Sequence, residues 1–187
     1  MSRSFANWAA PSYVSGTILV VAYLIKKNKT KLVIISIVLH SLLGVTLYHY
    51  HDIAKISGIK LSRHTDPYKR VLGWKDVIDQ IKVIRERYPS HFILSKSRGS
   101  VAELDYYLKE KTYIFNPNHQ MENQYHMDRD LNKLKGKDFI FVGSDKDEMT
   151  LKTYFNSVKL IGKVVAPLYE DFNRSYTLFK ADGFQGY

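Results

Sequence analysis

The stretch Trp8–Tyr50 reads WAAPSYVSGTILVVAYLI, then KKNKTK, then LVIISIVLHSLLGVTLYHY. Its two apolar runs hold 18 and 19 residues without a formal charge, and a lysine-rich hexapeptide separates them. As helices the runs would be about 27–29 Å long, which matches a bilayer core of about 30 Å. The pattern therefore predicts a membrane α-helical hairpin over residues 1–51, with transmembrane helices at about 8–25 and 32–50. Two helices buried in a soluble core are the alternative.

The distribution of charge predicts an orientation for this hairpin. The chain has 28 Lys and Arg against 18 Asp and Glu, a formal net charge of +10. Residues 1–51 contain five of the cations and no acid, and four of the five lie in Lys26–Lys31. Cytoplasmic loops are enriched in Lys and Arg, so this turn is expected in the cytoplasm. The expected location is the cell (inner) membrane, multi-pass, with the lipid bilayer as partner and the C-terminal domain extracytoplasmic.

Composition also excludes several function classes. The chain has no cysteine, which excludes disulfides, thiol catalysis and cysteine-ligated metals. Nucleic acid is not expected as a partner, because half of the basic surplus lies beside the predicted membrane segments and no basic-aromatic RNA motif or zinc finger is present. His119 and His126 share one polar loop, but no third ligand can be identified beside them. We therefore predict no metal and no cofactor.

The remaining residues show an alternation of helix and strand patterns. Residues 52–72 are expected to form a juxtamembrane linker, and residues 73–187 an extracytoplasmic domain. Apolar residues at helical spacing predict a helix from Trp74 to Tyr88, which Pro89 ends. Further helices are predicted at 101–109 and 147–158, and strands at 92–95, 112–115, 138–143, 159–168 and 176–180. Strands separated by helices predict a small α/β domain with a mostly parallel sheet.

One strand-to-helix connection is a candidate anion site. Ser95–Ser100, with the sequence SKSRGS, places backbone N–H groups and the side chains of Arg98 and Ser100 at the start of a helix. Such N-termini bind phosphate groups, so Arg98 and Ser100 are predicted substrate contacts. An ordinary polar turn is the alternative. Asp145–Glu148 follows a predicted strand, where carboxylates suit helix capping.

Three separated motifs resemble one enzyme family. Asn7–Tyr13 (NWAAPSY), which opens the first apolar run, resembles an N-W-P-A-P-x-Y pattern with Ala9 in place of a proline. Asp66–Lys75 (DPYKRVLGWK) resembles a D-P-x-x-R-x-x-G-W segment, and Asn123–Tyr125 (NQY) resembles a shorter C-terminal element. These patterns occur in this order in bacterial membrane glycosyltransferases of family 39, which include dolichyl-phosphate-mannose–protein mannosyltransferase-like proteins. The likeness covers nearly the whole chain.

The resemblance implies a C-type enzyme that uses a polyprenyl-phosphate sugar outside the cytoplasm. It adds Asn123, Gln124 and Tyr125 to the expected substrate contacts. The family's catalytic acid lies in an early acidic loop that nothing in this chain matches, so the catalytic residues are unknown and enzyme activity is uncertain. The leading hypothesis is the C-terminal portion of such a transferase, not catalytic alone, either paired with other transmembrane helices of a split enzyme or left as a gene remnant.

Two other functions remain open from the sequence. The first is a membrane-anchored module that binds a glycan or lipid-linked sugar without converting it. The second is an independent small transferase that uses Asp66 or the acids of Asp145–Glu148.

Overall fold

The computed structural model describes residues 10–187, which form two compact units divided after Lys60. The first unit contains three helices: α1 (Ala10–Lys26), α2 (Thr30–Tyr48) and α3 (Tyr50–Ile56). A three-residue turn joins α1 to α2, and its Asn28 adopts φ 54°, a left-handed conformation that asparagine tolerates. At His49 the backbone leaves the helical conformation, so the helix expected to reach Tyr50 ends at Tyr48.

The predicted membrane hairpin is wrong. Within residues 10–187 one helix, Thr30–Tyr48, is long and apolar enough to cross a membrane, with a mean hydropathy of 1.9. The described part of the first apolar run forms a shorter apolar helix, Pro11–Lys26, which ends at the lysine-rich turn. Trp8 and the first half of the Asn7–Tyr13 motif lie outside the described residues. No residue of α2 is buried.

The second unit, Leu61–Tyr187, contains a five-stranded sheet with helices on both faces. Its elements are α4 (Trp74–Arg85), β1 (Phe92–Ser95), α5 (Arg98–Leu108), β2 (Thr112–Ile114), α6 (Gln124–Asp128), β3 (Phe139–Gly143), α7 (Glu148–Tyr154), β4 (Phe155–Tyr169) and β5 (Phe172–Phe184). Short 3-10 turns at Leu131–Leu134 and Asp145–Asp147 precede β3 and α7. Residues 61–72, expected within a juxtamembrane linker, belong to this unit.

The predicted mostly parallel sheet is also wrong, because the sheet is mixed. Its strand order is β2-β1-β3-β5-β4, and only the β1–β2 and β1–β3 pairs are parallel. The two longest strands, β4 and β5, pair antiparallel across a turn at Glu170 and Asp171, and β5 pairs antiparallel with β3. A connection this short permits only antiparallel pairing. The second half of the domain is therefore a long hairpin added to a parallel three-stranded core.

Alternation along the strands divides the core between the two faces of the sheet. Ile93 of β1 and Ile140 and Val142 of β3 pack against the apolar face of α4, which presents Val77, Ile78 and Ile81. On the opposite face Leu94, Phe139 and Phe141 belong to an aromatic cluster that also holds Phe115, Phe155, Phe179 and Phe184. Both faces of β1 and β3 are thus buried. A site on these two strands can therefore form only at their ends.

Candidate functional site

A crevice lies at the carboxyl ends of β1 and β3. Along the chain β2 is added on one side of β1 and β3 on the other, so the direction of winding changes between β1 and β3. Ligands of open α/β sheets bind at such a switch point. The crevice has a volume of about 670 Å³, and its polar lining includes Lys96, Ser97, Ser100, Asp147, Arg174 and Tyr176.

The N-terminus of α5 forms one wall of this crevice. Ser97 is the N-cap residue, and its hydroxyl accepts a hydrogen bond from the backbone N–H of Ser100 at 3.0 Å. The two serine hydroxyls are also 2.8 Å apart. The earlier N–H groups of a helix have no intrahelical acceptor, which leaves those of Arg98 and Gly99, between the lining residues Ser97 and Ser100, as available donors. A Cβ atom on Gly99 would meet no atom within 4 Å, so the backbone is approachable there.

Asp147 and Lys96 form an ion pair in the same crevice. The Lys96 ammonium lies 3.2 Å from Asp147 Oδ1, while the Ser144 backbone N–H and hydroxyl donate to Oδ2 at 2.9 and 2.8 Å. Burial alone would raise the pKa of Asp147, but these hydrogen bonds and the charge of Lys96 outweigh it and hold the pKa below its ordinary value. Gly143 permits this arrangement, since a Cβ there would lie 2.8 Å from Asp147 Oδ2.

Arg174 brings a second cation to the crevice from β5. Its guanidinium lies 4.5 Å from the ring centre of Trp74, and that ring stacks on Tyr176. Nε donates to the carbonyl of Leu72 at 2.8 Å, and Nη2 donates to the carbonyls of Lys69 and Arg70. Among the described residues Nη1 has no acceptor, so this nitrogen can donate to a ligand.

The crevice is equipped for binding more clearly than for acid–base chemistry. Asp147 is the one carboxylate among the described residues that line it, and both of its oxygens are occupied. A lowered pKa keeps this group ionised at neutral pH, where it cannot serve as a general acid. Burial raises the pKa of Glu103 on α5, and the charge of Arg174 opposes that rise. Glu103 does not line the crevice.

The segment that resembles the family 39 pattern, Asp66–Trp74, stabilises the second unit. Asp66 is buried, accepts from the backbone N–H of Tyr68 at 2.6 Å and accepts from the hydroxyl of Tyr169 at 2.6 Å. Gly73 has φ +72°, and Trp74 donates its indole N–H to the carbonyl of Arg70. These residues hold the entry to α4 against the β4–β5 hairpin. The contacts of Asp66 are those of a structural group.

The five predicted substrate contacts do not converge. Ser100 lines the crevice, whereas Arg98 is an exposed residue at the first position of α5. Asn123 caps α6 through a hydrogen bond from the backbone N–H of Tyr125, and the Tyr125 ring lies beneath the Arg129 guanidinium. Gln124 is the first residue of α6. None of these last three residues lines the crevice.

Sequence reasoning missed most of the residues that define the crevice. Lys96 lies inside the Ser95–Ser100 stretch but is not among the predicted substrate contacts. Asp147 was interpreted as a helix cap, and the structure shows that role, since Ser144 and Asp147 form a capping box. Arg174 and Tyr176 carry no signal in the sequence, because their position follows from the pairing of β5 with β3 and β4.

A second cavity, of about 350 Å³, lies beside the end of β2 and includes the two loop histidines. The backbone N–H of Glu122 donates to His126 Nδ1 at 3.2 Å, and Nε2 lies 3.5 Å from the Asn123 amide nitrogen. His119 packs edge-on against the Tyr187 ring. Local hydrogen bonding and ring packing therefore account for both histidines.

A scan of protein-family models, a search of curated proteins and a search of solved structures each found no match to the chain. The resemblance to family 39 therefore stays a prediction, and the function is argued from the crevice.

Proposed function

We propose that this chain is a membrane-associated binding module that holds a phosphate-bearing sugar, of the polyprenyl-phosphate type, in the crevice between β1 and β3. The observation that carries the proposal is the convergence of Lys96, Arg174 and the α5 N-terminus on one opening at the switch point of the sheet. Its ligand is bound and is not converted.

The donors of the crevice suit a phosphate group. Lys96 uses one of its three N–H bonds on Asp147, and the side chain remains 58% exposed, so the other two donors can reach a ligand. Arg174 supplies Nη1, and the α5 N-terminus supplies backbone N–H groups with the positive end of the helix dipole. Charge-assisted hydrogen bonds of this kind are stronger than those between neutral groups.

The remaining lining suits a saccharide. The hydroxyls of Ser100 and Tyr176 can donate or accept. Phe172 adds an aromatic surface at the same opening. Small-molecule sites combine apolar or aromatic walls with a few convergent polar groups, and this crevice has both.

Helix α2 is the proposed means of attachment to a lipid bilayer. Its apolar side chains are exposed, for example Leu39 at 59% and Leu43 at 57%, and soluble surfaces rarely carry a continuous apolar face of this kind. The lysines of Lys26–Lys31 lie at the N-terminal end of α2, so the positive-inside rule favours an extracytoplasmic second unit. Reporter fusions after Tyr187 should be active outside the cytoplasm, and cytoplasmic activity would contradict this orientation.

A second candidate function is the C-terminal portion of a split family 39-like glycosyltransferase. One observation favours it: Asp66, Gly73 and Trp74, the residues that carry the resemblance, together stabilise the second unit. The genomic neighbourhood tests it. A neighbouring reading frame that encodes further spans and an acidic extracytoplasmic loop supports a split enzyme, and a genome without such a frame excludes it.

The binding proposal is tested with the full chain in lipid nanodiscs and a labelled polyprenyl-phosphate sugar. We expect saturable binding that a neutral polyprenyl glycoside fails to displace. Lys96→Gln should weaken binding about fivefold, because an exposed charged contact contributes about 1 kcal/mol.

Lys152→Gln is the matched control, since Lys152 is 52% exposed and pairs with Glu148 in the same way but does not line the crevice. Equal losses for the two variants, or equal affinity for the phosphate-bearing and neutral lipids, would refute the proposal.

A further inference from the structure

Three ligand-type side chains meet at the end of the sheet opposite the crevice. His91 immediately precedes β1, Asp138 immediately precedes β3, and Asp182 lies near the end of β5. The strand register aligns them, since Phe92 is the neighbour of Phe139, and Phe139 is the partner of Ala181. The flanking residues therefore share one row, and one ligand atom from each lies within 4.8 Å of the other two.

Each of the three side chains is oriented by a contact through its other polar atom. Asp138 Oδ1 accepts from the backbone N–H of Gly183 at 2.9 Å. Asp182 Oδ2 accepts from Ser157 at 3.1 Å and from the Lys180 ammonium at 2.7 Å. His91 Nδ1 lies 3.4 Å from the hydroxyl of Ser90. Metal-ligating side chains are held by outer partners in this manner.

The atoms that remain are spaced for a metal ion. His91 Nε2 and Asp182 Oδ1 face each other in a long hydrogen bond of 3.3 Å, against about 2.7–2.9 Å for a typical charge-assisted one. Two ligands about 2.0–2.1 Å from a tetrahedral Zn²⁺ are separated by about 3.3–3.4 Å. Among the described residues Asp138 Oδ2 accepts no hydrogen bond.

We propose that His91, Asp138 and Asp182 bind a divalent ion of the Zn²⁺ type, with solvent at the fourth position. His91 is 9% exposed and the two aspartates are partly exposed, so the ion has a route from solvent. The two carboxylates carry more negative charge than the single Lys180 ammonium can balance. Lys180 contacts Asp182 Oδ2, so Asp182 Oδ1, which faces His91, remains available to the ion. The ion would join the starts of β1 and β3 to the end of β5.

The test uses the full chain, freed of metal by dialysis against a chelator and then supplied with Zn²⁺. We expect one tightly held Zn²⁺ per chain in a competition titration with a chromogenic chelator. His91→Gln and Asp138→Asn should each weaken that binding at least tenfold, because even loss of an outer partner costs about 10–100-fold. His126→Gln and Asp145→Asn are the controls and should retain the ion.

A second measurement does not depend on whether the variants fold. In nuclear magnetic resonance spectra of the unaltered chain, Zn²⁺ should shift the ring signals of His91 and leave those of His119 and His126 in place. The proposal is overturned if the chain holds no Zn²⁺ against the chelator, if His91→Gln retains the ion, or if the ring signals of His91 do not move.

Discussion

Replacement of Gly73 by alanine tests how the β4–β5 hairpin meets the start of α4. Gly73 has φ +72°, and a Cβ atom there would lie 2.6 Å from Leu168 Cδ2 and 3.4 Å from the Cβ atom of Ala166. A left-handed conformation costs a residue with a side chain about 1–2 kcal/mol. The atom that a Cβ would meet is the end of the half-buried Leu168 side chain, which can move, so overpacking adds only about 1 kcal/mol. Gly73→Ala should therefore lower the free energy of unfolding by about 2–3 kcal/mol.

Gly136→Ala separates the two contributions. Gly136 has φ +77°, but a Cβ atom there would meet nothing within 4 Å. Backbone strain alone should therefore lower the free energy of unfolding of Gly136→Ala, by about 1–2 kcal/mol. The assay is urea unfolding followed by Trp74 fluorescence in a Trp8→Phe background. Trp74 adjoins Gly73, so the signal reports the second unit.

A double-mutant cycle completes the test. Leu168→Ala removes the side chain that a Cβ on Gly73 would meet, so it should recover part of the loss in the Gly73→Ala background. Equal destabilisation by Gly73→Ala and Gly136→Ala, with no coupling to Leu168, would refute the close approach of the hairpin to this glycine.

Three further predictions concern side chains that stabilise the second unit. Arg174→Lys keeps the positive charge but loses the guanidinium hydrogen bonds to three carbonyls, and should lower the free energy of unfolding in urea melts by about 2 kcal/mol. The control Arg98→Lys, at an exposed position, should change the free energy of unfolding by less than about 0.5 kcal/mol. Because the pKa of Asp147 is lowered, its stabilising contribution is present above its unfolded pKa of 3.8 and is lost as the pH falls below that value. Asp147→Asn should therefore make the free energy of unfolding fall less steeply at acid pH. An unchanged dependence on acid pH would contradict the capping geometry. Burial and the hydrogen bond to Asp66 raise the pKa of Tyr169 above 10.0, so the stabilisation from Tyr169 is present below pH 10.0 and decreases above it. Tyr169→Phe should therefore lose less unfolding free energy than the unaltered chain in alkaline urea melts. The same loss in both proteins would contradict this prediction.

The sequence predicted individual elements of the second unit better than their arrangement. The pattern Val77, Ile78, Ile81 predicts α4 with its buried face, and β1 is found at Phe92–Ser95 as expected. Helix α7 was expected to reach Val158, but the chain turns into β4 at Phe155. Apolar residues of a short run fit either element, and the pairing of Phe155 with Phe184 selects the strand.

The candidate site was only partly accessible to sequence reasoning. Ser97 and Ser100 could be placed at a strand-to-helix connection, because N-cap serines have a local hydrogen-bonding signature. Arg174 and Tyr176 are more than 70 residues further along the chain, and no local pattern marks them. The metal candidate has the same origin, since His91, Asp138 and Asp182 become neighbours through strand register alone.

The sequence by itself determined the properties that depend on near neighbours: the apolar runs of the first unit, the lysine-rich turn, the amphipathic face of α4 and the cap of α5. Tertiary structure alone decided the mixed sheet, the position of Arg174 beneath Trp74, and the meeting of Asp66 with Tyr169 across 103 residues. The physical reason is that helices and caps form from contacts a few residues apart. Strand order and direction depend on partners far along the chain, and the two-residue turn at Glu170 and Asp171 reverses the strand that carries Arg174 and Tyr176 to the crevice.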